Sequence, residues 1–177
     1  SRFKLPGTGL MLMVFLIAQL FTGPALMIPV YVAVVAVGLY DTLTGLSIVY
    51  IIFQIPFAVW MSYSNFQTIP IELEEAAVVD GCTPLGAFFN VTLPLLRISL
   101  VTVGVMSFLL TWSEYPLAVV LLEKSSNATV SLGLAKYITA FNIYWNQMAA
   151  ASLIISLPLL IFLRYAQTYF VKGLTAG

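Results

Sequence analysis

The sequence predicts an all-α fold, a polytopic bundle of helices in a membrane with four spans. Of its 177 residues, 61% are hydrophobic and 8% charged, and the mean hydropathy is +1.03, whereas a soluble domain carries roughly a quarter charged residues. The apolar residues fall in runs long enough to cross a bilayer, for which about 20 residues suffice. Between the runs lie short segments in which acids, prolines and glycines collect. A soluble core cannot hide that much apolar surface, and residues 1–177 read as a single transmembrane domain.

The first apolar stretch, Thr8 to Leu39, is too long for one straight helix and is punctuated by Gly23-Pro24 and Pro29, which remove helical hydrogen bonds. It predicts one span, a break and an apolar continuation. Tyr40-Asp41-Thr42-Leu43-Thr44 is a short polar turn, and Gly45 to Tyr63 a second span interrupted by Gln54 and Pro56. The stretch from Ser64 to Thr92 holds Glu72, Glu74, Glu75 and Asp80, four of the seven acids, with Pro70, Gly81 and Pro84, and predicts a loop outside the membrane (segment 64–94). A third span follows from Leu95 to Leu122, then a polar segment at 123–146, and a fourth span from Met148 to Ala166.

Basic residues orient these spans, because cytoplasmic loops carry the excess of Lys and Arg. Arg2, Lys4, Arg97, Arg164 and Lys172 fall on one side, Lys124 and Lys136 on the other. The acidic loop and both ends of the chain are therefore expected in the cytoplasm, and segment 123–146 outside it. Aromatic residues near the span ends, Trp60, Tyr63, Tyr115, Tyr144 and Trp145, suit the membrane interface.

Composition also excludes. The net charge is zero and histidine is absent, so neither a nucleic-acid surface nor a histidine metal site is expected. Cys82 is the single cysteine and has no CxxC partner, which leaves packing as its role. A membrane protease or metal enzyme would need paired acids, His ligands or a Ser and Lys set at membrane depth, and the spans offer one acid. No catalytic or metal-binding residue is assigned. The chain opens on Ser1-Arg2-Phe3-Lys4-Leu5-Pro6-Gly7 without an initiator methionine and reads as a fragment whose upstream part is missing.

The acidic loop carries the strongest signal. Pro70 suits a first helical turn, and Glu72, Glu74 and Glu75 suit the positive end of the helix dipole. Asp80-Gly81 supplies a helix stop and Thr83-Pro84 a second start, so a helix, a sharp turn and a second helix are predicted. Glu75-Ala76-Ala77, three residues, Gly81, nine residues, Val91, one residue and Leu93-Pro94 resembles the EAA loop of permease subunits from ATP-driven importers at every fixed position. Only valine for the commoner isoleucine differs. A bare Glu-Ala-Ala would be an ordinary surface helix; the full spacing between two spans on the positive-inside side distinguishes it.

The resemblance implies that this loop docks on a nucleotide-binding subunit, with Glu75, Ala76, Ala77, Asp80, Gly81, Val91, Leu93 and Pro94 as the coupling set. Small Ala76 and Ala77 permit close approach, Glu75 offers a charge for pairing, and Gly81 permits the turn. The tail Tyr169-Phe170-Val171-Lys172-Gly173-Leu174-Thr175-Ala176-Gly177 and the opening seven residues further resemble carbohydrate-importer permeases of the maltose-permease type. Together these imply a six-span, type I ABC importer permease of which four spans are present, in a bacterial or archaeal inner membrane. The partners implied are a second permease subunit, two ATPase subunits, an extracytoplasmic solute-binding protein and membrane lipid. No GxxxxGK[ST] phosphate loop is present, so this chain is expected to bind no cofactor, with ATP and Mg held by the ATPase.

The resemblance also implies that segment 123–146 faces the binding protein, with Tyr137, Phe141, Asn142, Tyr144 and Trp145 as contacts; an aromatic belt at the membrane surface is the alternative. Glu114, in Thr111-Trp112-Ser113-Glu114-Tyr115-Pro116, is the one acid in a predicted span. Trp112, Ser113 and Glu114 are candidates for the translocation path or a subunit contact, unless the span ends earlier and Glu114 lies in the headgroup layer. Gln54, with Pro56, lines the path or makes an interhelical hydrogen bond, and Gln19 has the same two readings. From a different class, a membrane scaffold or enzyme subunit using the acidic loop as a docking surface competes with the permease.

Overall fold

The computed structural model describes residues 7–20 and 24–174, which are helical apart from turns and one isolated β-bridge. Helices α1 (Thr8–Leu20) and α2 (Pro24–Ala36) come first. Pro24 opens α2, where a missing N–H costs nothing; Gly23 lies outside the described residues. Pro29 lies inside α2 without ending it, at the loss of the one hydrogen bond its nitrogen would have donated to the Ala25 carbonyl.

Helix α3 (Leu43–Gln67) is longer than the expected second span and continues through Pro56. Its start is built tightly. Thr42 Oγ1 donates to the Leu39 carbonyl at 2.7 Å and accepts from Gly45 N at 3.0 Å. A Cβ on Gly45 would lie 2.3 Å from the Leu39 oxygen, so only glycine fits there.

The acidic segment is helix rather than loop over most of its length: α4 (Glu72–Val79), α5 (Pro84–Ala87), a π-helical turn (Phe88–Thr92) and α6 (Leu93–Trp112). The run from Pro84 to Trp112 is continuous. Sequence reading set the third span at Leu95 to Leu122; the structure ends it at Trp112. Pro116 cannot donate to the Trp112 carbonyl and disfavours a helical Tyr115, whose φ is −122°. Pro116–Leu121 forms a separate short helix, α7. A 3₁₀ turn (Ser125–Asn127), α8 (Val130–Ala135) and the long α9 (Trp145–Leu174) follow. Trp145 therefore begins a helix instead of closing the preceding loop.

Among the described residues three helices are long and apolar enough to cross a membrane: Leu43–Gln67, Pro84–Trp112 and Trp145–Arg164. Helices α1 and α2 have 13 residues each, about 20 Å apiece at 1.5 Å per residue. Helix α3 packs on α1 and α6, and α6 on α9, where Phe108 and Phe162 sit 4.5 Å apart. The buried core gathers at one end, with Val34 of α2, Leu46 and Val49 of α3, and Ala118, Leu121 and Leu122 at α7. Elsewhere Ile51, Ile52, Leu153 and Ile154 are mostly exposed, as helix faces turned to lipid or to a neighbouring subunit would be.

Candidate functional site

The corner between α4 and α5 is set by backbone chemistry. Asp80 caps α4, the Gly81 N–H donates to the Val78 carbonyl at 3.0 Å and the Cys82 N–H to the Ala77 carbonyl at 3.0 Å. This two-bond closure needs a left-handed residue after the cap, and Gly81 supplies it at φ +94°. Thr83 then starts α5, its hydroxyl accepting from Gly86 N at 3.1 Å. The predicted helix, turn and helix are present, with α4 beginning at Glu72 rather than Pro70.

Of the residues singled out there, Glu75 and Ala76 are exposed and Ala77 is buried. Val91 lies in the π-helical turn, and Leu93 and Pro94 open α6. Between α4 and α5 lies a groove of about 690 Å³ with Glu74 and Glu75 on its edge and Ile71, Val79, Leu85 and Phe88 in its wall. Val79 is 86% exposed and Leu85 72%, an apolar display that a free soluble surface would not favour. Sequence reading missed the bond that roots this corner. Thr92, wholly buried, donates its hydroxyl to Glu74 Oε1 at 2.7 Å, tying α4 to the base of α6.

At the other end of α3, Asp41 joins two loops. Its Oδ1 accepts from Glu123 N at 2.9 Å and Lys124 N at 3.0 Å, and its Oδ2 lies 3.2 Å from Lys124 Nζ. Its own N–H donates to the Leu121 carbonyl at 3.0 Å and its carbonyl accepts from Asn127 Nδ2 at 2.7 Å. Asp41 takes the left-handed conformation, φ +56°, which Asp tolerates better than most side chains. The backbone donors of Lys124 and Glu123 hold its carboxyl down to about 2. Nothing in the local sequence marks this residue beyond its place in a turn, because its partners lie more than 80 positions away.

Glu114 sits in the turn between α6 and α7, and its carboxylate is fully engaged. It accepts from Tyr50 Oη at 2.7 Å, Leu117 N at 2.7 Å and Ala118 N at 3.3 Å. Ser131 Oγ donates to the Glu114 carbonyl, bringing α8 onto the same turn. A cavity of about 420 Å³ between α1, α2, α3, α6 and α7 is lined by Gln19, Tyr50, Phe53, Gln54, Phe57 and Glu114, among others. Gln54 also makes a 3.4 Å interhelical bond to Thr111 Oγ1. Gln19 Nε2 is buried with no hydrogen-bond partner among the described residues, an arrangement that costs about 1–3 kcal/mol when nothing fills the need. Gln54 and Glu114 thus share one cavity, and Trp112 and Ser113 do not line it: Trp112 packs on Phe108 at 5.2 Å, and the Ser113 hydroxyl donates to the Leu109 carbonyl.

Segment 137–145 forms a small hairpin closed by the bridge between Ile138 and Ile143. Thr139 N donates to the Asn142 carbonyl at 2.9 Å, the Thr139 hydroxyl accepts from Asn142 N at 3.0 Å, and Tyr144 N donates to the Tyr137 carbonyl at 3.0 Å. Phe141 at the tip is fully exposed, and Tyr144 and Trp145 are exposed at the base.

Comparison with known proteins fits this architecture. The family described as "binding-protein-dependent transport system inner membrane component" matches residues 4–176. The inner membrane ABC transporter permease protein YcjP of Escherichia coli is 36% identical over 177 residues, covering all of this chain and 63% of that protein. The diacetylchitobiose uptake system permease protein DasC of Streptomyces coelicolor is 33% identical, covering all of this chain and 64% of its own length. The maltose/maltodextrin transport system permease protein MalG of Escherichia coli is 35% identical over 182 residues, covering all of this chain and 62% of its own length. The chain thus spans a little under two thirds of these relatives. A crystal structure of a bacterial ABC transporter involved in the import of the acidic polysaccharide alginate shares the fold, at a TM-score of 0.71 and 23% identity over 96% of this chain and 64% of that one. With helices able to span a bilayer, an exposed corner between two of them and a family match across nearly its whole length, this chain belongs to the inner membrane components of binding-protein-dependent transport systems.

Proposed function

We propose that this chain is the larger part of a permease subunit in an ATP-driven importer of sugars or oligosaccharides, and that the α4–α5 corner couples it to a cytoplasmic ATPase. The observation that carries the coupling is the corner itself: a rigidly capped turn, an exposed Glu75 and an apolar groove, rooted through Glu74 and Thr92 in the base of α6. A partner seated on the corner would cover Val79 and Leu85 and pair with Glu75, and its movement would pass into α6. The corner and both chain ends then face the cytoplasm, and the hairpin faces outward, with Phe141 offered to a solute-binding protein. ATP and Mg belong to two ATPase subunits, and a second permease subunit completes the membrane unit. Closure of the ATPase pair would drive the spans from inward-facing to outward-facing, and the cavity at Gln54 and Glu114 would belong to the path. The sugar class is supported by relatives named for the uptake of diacetylchitobiose and of maltose.

Co-purification of the complete subunit with its partner ATPase tests this reading. Wild type is expected to retain the ATPase; Glu75→Lys and Gly81→Pro are expected to insert in the membrane, lose the ATPase and lose uptake by at least about tenfold. Retention of the ATPase by both variants with uptake intact would leave the corner as a docking surface for some other membrane scaffold.

A further inference from the structure

We infer that the cavity between α1, α3 and α6 is a subsite for one unit of a neutral carbohydrate, held by this chain's own residues. The inference rests on the importer reading and adds a ligand site to it.

Three features of the wall point to this chemistry. Gln19 Nε2 is a buried donor with no partner among the described residues, and a sugar hydroxyl would supply the acceptor it lacks. Gln54 lines the same cavity, and its 3.4 Å bond to Thr111 is beyond the usual N–H···O range, so its amide can turn to a ligand. The rings of Phe53, Phe57 and Tyr50 line the same space and offer flat apolar faces for the C–H face of a pyranose. A volume of about 420 Å³ holds a small ligand with room for water. Among the described residues Glu114 is the one acid or base in the wall, and its carboxylate offers an acidic sugar no donor, so the two carboxylates would oppose each other. The expected occupant is neutral.

The test uses the full-length subunit assembled with its partner subunits in lipid nanodiscs. Cys82 and any cysteine elsewhere in the complex are replaced by serine, and Met27→Cys places a reporter in the cavity wall. A water-soluble methanethiosulfonate then modifies the reporter in the presence of a panel of neutral di- and trisaccharides, including maltose and diacetylchitobiose, and of an acidic uronate disaccharide. A neutral sugar is expected to slow modification and the uronate not to. Gln19→Met and Gln54→Met, close in volume, should each raise the half-protecting concentration by about threefold to tenfold.

If the complex imports one of these sugars with ATP but none slows modification, the subsite is overturned and the importer reading stands. A reporter reached only by a membrane-permeant reagent is covered by lipid or a neighbouring chain, which also overturns the subsite. Protection unchanged by both Gln variants overturns the assignment of these residues. A wild-type complex that takes up no sugar of the panel removes both the subsite and the carbohydrate reading beneath it.

Discussion

The two ends of α3 are built on opposite plans. Where it starts, Asp41 is tied by backbone and side-chain hydrogen bonds to the segment from Leu121 to Asn127, over a core of Val34, Leu46, Val49, Ala118 and Leu121. Where it ends, the α4–α5 corner has its own turn well satisfied, yet Val79, Leu85 and Phe89 stand exposed. One end finds its partners within the chain. The other presents apolar surface and the exposed carboxylates of Glu72 and Glu75 to something outside it. On the proposed coupling, the closed end is the one that is held and the open end the one that is moved.

Breaking the closed end should cost the most stability. Asp41→Ala leaves the N–H groups of Glu123 and Lys124 without their acceptor, and the melting temperature of the purified subunit should fall by about 5 °C or more. Asp41→Asn retains an amide oxygen for the same two donors and should fall less. The depressed carboxyl also fixes the pH dependence. A group whose folded value lies below its unfolded one stabilises the fold fully above the ordinary carboxylate range, here 3.8, and that contribution is lost as pH falls through about 2. Thermal melts of wild type and Asp41→Ala should therefore differ at neutral pH and converge between about pH 4 and pH 2. A constant gap across that range would mean that the carboxylate is not the source of the closure.

The open end should respond more gently and in a different quantity. Thr92→Val keeps the shape of a fully buried side chain but removes the hydroxyl that Glu74 accepts. Glu74 is only half-buried, so water can replace part of the bond, leaving a loss of about 1 kcal/mol. The ATPase should still co-purify, since the exposed face of α4 is untouched, while uptake falls about fivefold. A variant that loses the ATPase along with uptake would show that Thr92 holds the corner's shape rather than its connection to α6.

Much of the open end was legible in the sequence, because its determinants are local. Gly81 ends α4, and Thr83 and Pro84 begin α5, and each acts within a few residues of itself. The closed end was not legible. Asp41 looks like any turn aspartate until the fold brings Glu123 and Lys124 to it, and no periodicity records a contact 82 residues away. The end of the third span was set too late for an intermediate reason, and the earlier end leaves Glu114 outside it, the second of its two readings. Pro116 was visible, but the apolar run after it hid the break, since Leu117 to Leu122 is apolar for burial in the end core rather than for lipid. Hydropathy alone cannot separate those two destinations.

The smallest effect sharpens the comparison from within the closed end. Lys124 contributes to it twice, through its backbone N–H at 3.0 Å and its ammonium at 3.2 Å from Asp41. The side chain is 73% exposed, so water and salt screen the ion pair, whereas the backbone donor is enclosed with the carboxylate. Lys124→Ala removes only the ammonium and should shift the melting temperature by less than about 2 °C. Lys124→Pro removes the backbone donor as well and should approach the loss seen for Asp41→Ala. If alanine cost as much as proline, the closure would be an ion pair that salt could loosen. If the two separate as expected, it is a backbone clasp, insensitive to ionic strength, as the proposed coupling asks of the end of α3 that is held.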